Sequence, residues 1–404
     1  MTIRELGRAC CGCEACVNAC PIDCIQMEED EEGFRYPRVN DDICKVCGRC
    51  VSVCPVINPN GFPPSQERAE AYAAWARDEN VRLSSSSGGV FSVLADTVLN
   101  VGGVVVGAAW TENFLAVKHI IVEGKNEIGK LRGSKYLQSH IGFLYRGLRQ
   151  LLEEGRDVLF VGTPCQVAGL RSYLGAENEN LVTCDLVCHG VPSAKVFRHF
   201  LKFLEEQHNA SVANVSFRDK HKGWKRYSVN VRFLDGSEYI RSFDCDPYMY
   251  GFLRNLYLRP SCYECLFIRI PRLGDITLGD FWGVGSIDVN LDDDKGVSLV
   301  LVNTSKGKEI LSRCSSNIQL RSCSFEAAVN GNPCLVKPVT VSPHREEFFV
   351  ALRNHPFSVV MSRYMRPRNK VRWILARCLT RVTAVMNRWL DRYSQLTFDR
   401  KTGF

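Results

Sequence analysis

No stretch of this 404-residue chain reaches the roughly 18 uninterrupted apolar residues of a membrane span. The first 20 residues carry cysteines where a secretory leader needs an apolar run. Both absences lead us to expect a cytoplasmic protein. An even spread of positive charge is missing too. From Met361 to the end, eleven Lys or Arg face only Asp391 and Asp399, a local charge of +9, so the net +7 leaves −2 for the first 360 residues. Nucleic-acid binding therefore loses the support that global basicity would give it. The basic end repeats Leu375, Leu379, Val382, Met386, Trp389 and Tyr393 on one helical face. We expect a basic amphipathic helix there, which packs on its own domain or contacts a membrane surface or a partner.

Cysteine, in contrast, is abundant at 20 residues. Half of the cysteines lie in the first 55 residues, where Cys10-x2-Cys13-x2-Cys16-x3-Cys20-Pro21 is repeated as Cys44-x2-Cys47-x2-Cys50-x3-Cys54-Pro55. This is the bacterial ferredoxin run, in which soft, anionic thiolates converge on a cubane while the backbone between them wraps it. Because the fourth cysteine ligates the other cluster, Cys10, Cys13, Cys16 and Cys54 are expected to hold one 4Fe-4S cluster, and Cys44, Cys47, Cys50 and Cys20 the other. Zinc sites use paired C-x2-C knuckles rather than a triple run followed by Cys-Pro. Cys11 and Cys24 fall outside the ligand spacing and read as buried small hydrophobes. Such clusters need reduced thiols and little oxygen, so the expected setting is an anaerobic or microaerobic cytosol. A chain that carries them is built to move electrons.

A Pro-, Gly- and Asn-rich segment, Pro55 to Pro64, reads as a linker, which divides the chain into 1–62, 66–345 and a basic helical tail 346–404. With 45% hydrophobic residues the middle part can bury a sizeable core. It alternates helix-like stretches (89–100, 140–153, from Pro164, from Ser193, 246–255) with β-rich runs (104–106, 116–122, 157–162, 181–188, 227–233, 275–278, 297–302), the pattern of an α/β domain. No internal repeat follows the ferredoxin pair.

Several short motifs sit where strands meet helices. Gly162-Thr163-Pro164-Cys165-Gln166 suits a phosphate or a flavin edge, or is a tight turn with a capping threonine. Ser84 to Gly89 opens a helix and suits a pyrophosphate, or is a plain loop. Gly133-Ser134-Lys135-Tyr136 adds a cation, a hydroxyl and a ring. Cys262-x2-Cys265, with Cys165 and Cys188 at expected strand ends, makes a candidate third cluster; a zinc knuckle and inert core thiols are the alternatives. Cys184, Cys245, Cys314, Cys323, Cys334 and Cys378 have no metal spacing. Beside Cys188, Asp185 and His189 supply a carboxylate and an imidazole, and His189 is a candidate proton donor or a structural histidine. Gly279-Asp280-Phe281-Trp282-Gly283 would wall a flat ring or form a packed corner.

Taken in order, the ferredoxin runs, Ser86-Ser87-Gly88-Gly89, the motifs at 133–136, 162–166 and 185–192, Ser-Phe-Arg-Asp-Lys at 216–220, Arg-Pro-Ser-Cys-Tyr-Glu-Cys at 259–265 and the segment 275–283 resemble the family of coenzyme F420 hydrogenase/dehydrogenase beta subunits. The resemblance covers most of residues 1–345. It implies an α+β ferredoxin module followed by a larger α/β flavin-binding domain, with the helical tail outside the match. It also implies FAD beside the iron–sulfur clusters, held by Ser86, Gly88, Gly89, Ser134, Lys135, Tyr136, Gly162, Thr163, Pro164 and Gln166. Lys135 would neutralise the pyrophosphate. The implied activity is oxidoreduction: single electrons pass between the clusters and FAD, and hydride goes to or from a soluble acceptor. That acceptor is coenzyme F420 or another small molecule, and ferredoxin-fused relatives often accompany polysaccharide synthesis. The rival expectation is a non-catalytic electron carrier that docks a redox partner and holds no flavin.

Overall fold

The computed structural model describes residues 3–59 and 69–366. In the N-terminal module the two cysteine runs lead into short helices, Ala15–Ala19 and Arg49–Ser52, with the hairpin Ile25–Glu29/Arg35–Val39 between them. Both runs turn through the left-handed region at matching places, Gly12 and Glu14 in the first and Val46 and Gly48 in the second. That conformation turns a two-residue gap so that successive sulfurs face one point.

The large domain is built on a nine-stranded mixed sheet. Its order is Ile318–Cys323, Glu70–Ala76, Ser298–Val302, Ile276–Asp280, Leu181–Leu186, Val158–Gly162, Val104–Trp110, Val117–Val122 and Ser139–His140. The four strands from Ile276–Asp280 to Val104–Trp110 run parallel, and antiparallel strands flank them. Parallel strands buried on both faces explain the continuous apolar runs such as Val104-Val105-Val106, all fully buried. A separate antiparallel sheet is formed by Val212–Asp219, Ser228–Phe233 and Glu238–Ser242. The expected helices appear as Val90–Leu99, Leu144–Glu153, Pro164–Leu174, Ala194–His208 and Pro247–Leu253. Among the described residues no helix is long and apolar enough to cross a membrane.

The ferredoxin module is packed on this domain, not strung beside it. Cys11, Cys13 and Ala15 share one apolar core with Val104, Phe160, Val167 and Leu170. The helix Pro164–Leu174 presents Gly169 at the contact, where an added Cβ would lie 2.8 Å from the Cβ of Cys13. Polar contacts fix the register: the Gly142 amide donates to Glu14 at 2.7 Å, and Asn18 donates to the Gly142 carbonyl at 2.8 Å.

The expected boundary at 345/346 falls at the start of a packed helix. Arg345–Asn354 and Phe357–Tyr364 bring Phe348, Phe349 and Val360 into the core that also holds Phe34 of the ferredoxin hairpin. The amphipathic stretch from Leu375 to Tyr393, and Cys378, lie outside the described residues.

A buried ion pair joins the same elements. Arg345 Nη1 donates to Glu32 Oε1 at 3.1 Å, its Nη2 meets the other carboxylate oxygen, and both side chains are almost fully buried. Removing one partner strands a buried charge, which costs about 3–5 kcal/mol. Glu32→Ala should therefore lower the thermal unfolding midpoint of the loaded protein clearly more than Arg353→Ala, which breaks an exposed pair with Glu31. Equal midpoints for the two variants would show that Glu32 does not hold the module in place.

Candidate functional site

Of the ferredoxin cysteines, Cys10, Cys13, Cys16, Cys20 and Cys54 are buried, Cys44 and Cys50 are partly buried, and Cys47 is exposed. Burial pushes the Cys16 thiol well up, and the nearby sulfurs of Cys10, Cys54 and Cys50 push the same way. Burial also raises Cys54, which has Cys10 and Cys50 as neighbours. The last cysteine of the second run thus stands among the sulfurs of the first. Cys50 has Cys47 and Cys44 nearby. Cys24, read from sequence as a bystander, lies 3.3 Å from the Cys20 sulfur and also contacts Cys44. Backbone amides point at these sulfurs, Gly12 N–H to Cys10 Sγ and Cys24 N–H to Cys20 Sγ, each at 3.3 Å. N–H donors of this kind stabilise thiolate and tune a bound cluster.

The strand ends build a second sulfur site. Cys165 follows the strand Val158–Gly162 in the first turn of its helix, Cys188 follows Leu181–Leu186, and Cys262 and Cys265 come from the turn at Pro260–Cys262. They line one cavity of about 420 Å³, together with Cys11, Pro164 and His189. Burial raises Cys188, and Cys262, Cys165 and Cys265 add to the shift. Burial likewise pushes Cys262 up to about 12, opposed by the Val191 N–H that donates to its sulfur at 3.4 Å. Thiols gathered on one cavity and raised in this way resist ionisation, and a cationic metal core would remove that penalty. Four cysteines from three segments are a donor set that suits a cluster.

Cys11 adds to the sequence reading. It is buried in the apolar core, as its spacing suggests, and its side chain also contacts both Cys13 and Cys165, so it stands between the two sulfur sites. No spacing rule could find it, because the equivalent position of the second run is Lys45.

The residues expected to hold FAD divide. Ser134 lines a second, larger groove of about 1030 Å³ with Ser84, Trp110, Lys118 and Arg132. The others are engaged within the protein. Ser86 Oγ accepts from the Ser134 amide at 2.7 Å. Gly88 donates to Ser298 and presses on the sheet, where a Cβ would lie 2.3 Å from the Ala74 carbonyl oxygen. Gly89 takes φ 88° to start its helix. Gly162 pairs with Asp185 in the sheet, and Thr163 and Gln166 form a reciprocal capping box, while Pro164 faces the sulfur cavity. Tyr136 accepts from Arg218 at 3.4 Å.

Lys135 and His189 both bond within the chain. Lys135 turns its ammonium onto the carbonyls of Leu131, Arg132 and Gly133, each at 3.1 Å, and burial lowers its pKa to about 7. It closes its own loop. His189 Nε2 lies 2.7 Å from Asn255 Oδ1, and the Asn255 amide group is oriented by donating to the Thr340 carbonyl at 2.9 Å. Nε2 therefore carries a proton and donates it to Asn255, and burial, the largest influence, lowers the pKa of the ring. Asp185 pairs with the equally buried Arg272 at 3.2 Å. Asp280 accepts from Arg218 and Trp224, and Trp224 stacks on Trp282, so this segment is a packed corner.

Residues 9–58 match the 4Fe-4S dicluster domain. Residues 71–144 match the N-terminal part, and 155–328 the C-terminal part, of the coenzyme F420 hydrogenase/dehydrogenase beta subunits, together more than half of the chain. Among curated relatives, an F(420)H(2) dehydrogenase subunit of Methanosarcina mazei is 26% identical over 63% of this chain and 71% of its own length. An uncharacterized protein of Methanocaldococcus jannaschii is 23% identical over 76% of this chain and 87% of its own. A chain of the F420-reducing [NiFe] hydrogenase complex of Methanosarcina barkeri superposes with a TM-score of 0.44 at 19% identity, covering 70% of this chain and 100% of that one. With sulfur sites at both ends of its cysteine-lined contact and both halves of the family signature in order, this chain belongs to the family of coenzyme F420 hydrogenase/dehydrogenase beta subunits, preceded by a 4Fe-4S ferredoxin-type domain.

Proposed function

We propose that the chain is an iron–sulfur flavoprotein oxidoreductase. Electrons pass between two ferredoxin-type 4Fe-4S clusters and FAD through a third cluster held by Cys165, Cys188, Cys262 and Cys265, and hydride is exchanged with a soluble acceptor. The observation that carries this reading is the cavity of about 420 Å³ at the contact of the two modules, lined from one side by Cys11 and from the other by those four cysteines. A carrier with only ferredoxin clusters has no use for it.

When bound, the clusters supply one-electron steps and FAD converts electron pairs to hydride. The chain supplies position. The exposed Cys47, beside the exposed Val46 and Ile43, presents the outer sulfur group to a soluble redox partner. Arg8, Ala9 and Cys11 of the ferredoxin module line the cavity from its side. Both the cavity and the 1030 Å³ groove open beyond the carboxyl ends of parallel strands, where open α/β sheets bind ligands. Lys118, Lys130 and Arg132 give the groove the positive charge that a dinucleotide's phosphates require. The F420-linked relative supports coenzyme F420 as the acceptor class.

Anaerobic purification of the full chain with iron and flavin measured in one sample tests this. We expect about one FAD and about twelve irons per chain; about eight irons would remove the third cluster. Absence of flavin after reconstitution with FAD would favour the electron carrier. Cys165→Ala and Cys262→Ala should each lose about four irons, whereas Cys11→Ala should keep the full count. Arg132→Glu should lower the flavin content several-fold with iron unchanged, and unaltered flavin would move the FAD away from this groove.

A further inference from the structure

Arg259 is fully buried, and its guanidinium meets only neutral acceptors. Nε donates to the Cys10 carbonyl at 2.7 Å, Nη1 to Gln138 Oε1 at 3.0 Å, and Nη2 to the Arg35 carbonyl at 2.9 Å. Its plane lies 4.5 Å from the centre of the Tyr36 ring. Among the described residues no carboxylate pairs with it. Arg272, by contrast, stands near Cys265 and has the Asp185 carboxylate at 3.2 Å. A buried cation without a counter-charge is strongly unfavourable, so a negative group must face Arg259 in the loaded protein.

The surroundings identify that group. Arg259 reaches into the loop that carries Cys10, Cys11 and Cys13, so closely that a Cβ on Gly12 would lie 3.1 Å from its Nη1. Its partner Gln138 donates to the carbonyls of Cys11 and Gly12 at 3.0 and 3.3 Å. The Arg259 carbonyl in turn accepts from the Cys262 amide at 2.9 Å, which fixes the knuckle on the far side. The sulfurs of Cys10, Cys11 and Cys262 are among the charges that act on the guanidinium.

We propose that Arg259 is the shared counter-ion of the inner ferredoxin cluster and of the cluster at Cys165, Cys188, Cys262 and Cys265, and that it raises the reduction potential of both relative to the outer cluster. Reduction adds an electron to a thiolate-ligated cluster that is already anionic, and a nearby buried cation favours the more negative state. Arg259 is thus a positioning and potential-setting residue. For the second of its two clusters the inference rests on the function proposed above.

Redox titration of the anaerobically purified full chain, followed by electron paramagnetic resonance with iron counted in each sample, tests it. Arg259→Gln should lower the midpoint potentials of the two inner clusters and leave the outer cluster, beside Cys47, in place. Arg259→Lys, which keeps the charge, should restore both. Should Arg259→Gln not load iron, Gln138→Glu carries the test, because it sets a carboxylate against the guanidinium and should lower the same two potentials. Unchanged inner potentials at full iron content, or an equal shift of all clusters, would overturn the proposal. About eight irons in the unsubstituted chain would instead remove the third cluster and leave the effect on the inner ferredoxin cluster to be read by itself.

Discussion

Gathering ionised sulfur in a dry interior is opposed twice, by burial and by repulsion among like charges, and the layout of this protein follows from how that opposition is met. The thiols at Cys16, Cys165 and Cys188 are all pushed well above the ordinary range. Three compensations surround them. Backbone amides aim at the sulfurs of Cys10, Cys20 and Cys262. A guanidinium without a carboxylate sits between two sulfur groups. A bound cluster core would supply the remaining positive charge. Each acts over a short distance, so the two modules must approach closely, and small residues at the contact allow it: Ala15 is fully buried there and Gly169 meets Cys13. The buried Glu32–Arg345 pair and the contacts of Glu14 and Asn18 with Gly142 hold that approach from either side.

How much of this was legible depended on whether the constraint is local. Ligand spacing in the ferredoxin runs is set within a few residues by left-handed turns, so Cys10 to Cys54 could be read directly. The parallel strands were equally plain, because burial on both faces leaves an unbroken apolar run such as Val158 to Val161. The strand Glu70–Ala76 escaped notice. It reads Glu-Ala-Tyr-Ala-Ala-Trp-Ala, a composition that favours helix, yet it lies inside the sheet because Gly88 must pass close over Ala74. Tertiary packing overrode propensity there. Cys11 and Arg259 were illegible as site residues for a related reason: each acquires its role from a segment far away in sequence, Cys11 from Cys165 and Arg259 from Cys10. The one available signal for Arg259 was its place three residues before the Cys262 knuckle.

The flavin motifs teach a narrower lesson. Hydroxyls, glycines and a lysine at a strand–helix junction suggest a phosphate cradle, but the same groups are what a chain needs to cap its own helices and close its own loops. Thr163 and Gln166 cap each other, Lys135 satisfies three carbonyls, and Gly88 serves the sheet. Their common effect is to make a rigid rim. The Ser86 to Gly89 loop is tied to Gly133–Tyr136 through Ser86 and Ser134, and both are tied to Arg218, which donates to the Ser86 carbonyl, Tyr136 and Asp280. A rim of this kind leaves charge selection to residues outside the motifs, and Lys118, Lys130 and Arg132 occupy that place in the groove.

The two openings at the sheet edge then have different chemical characters for a physical reason. The cavity beside Cys165 is bounded on one side by Arg8, Ala9 and Cys11 of the ferredoxin module and lined by sulfur, which suits a group that exchanges only electrons, whose transfer needs no path for protons or for a diffusing molecule. The groove beside Trp110 and Arg132 is more than twice as large, polar and open. Hydride exchange requires the opposite conditions: room for a second molecule, access from solvent and a source of protons. The two openings thus differ in lining and size in the same sense in which electron transfer and hydride exchange differ in what they require.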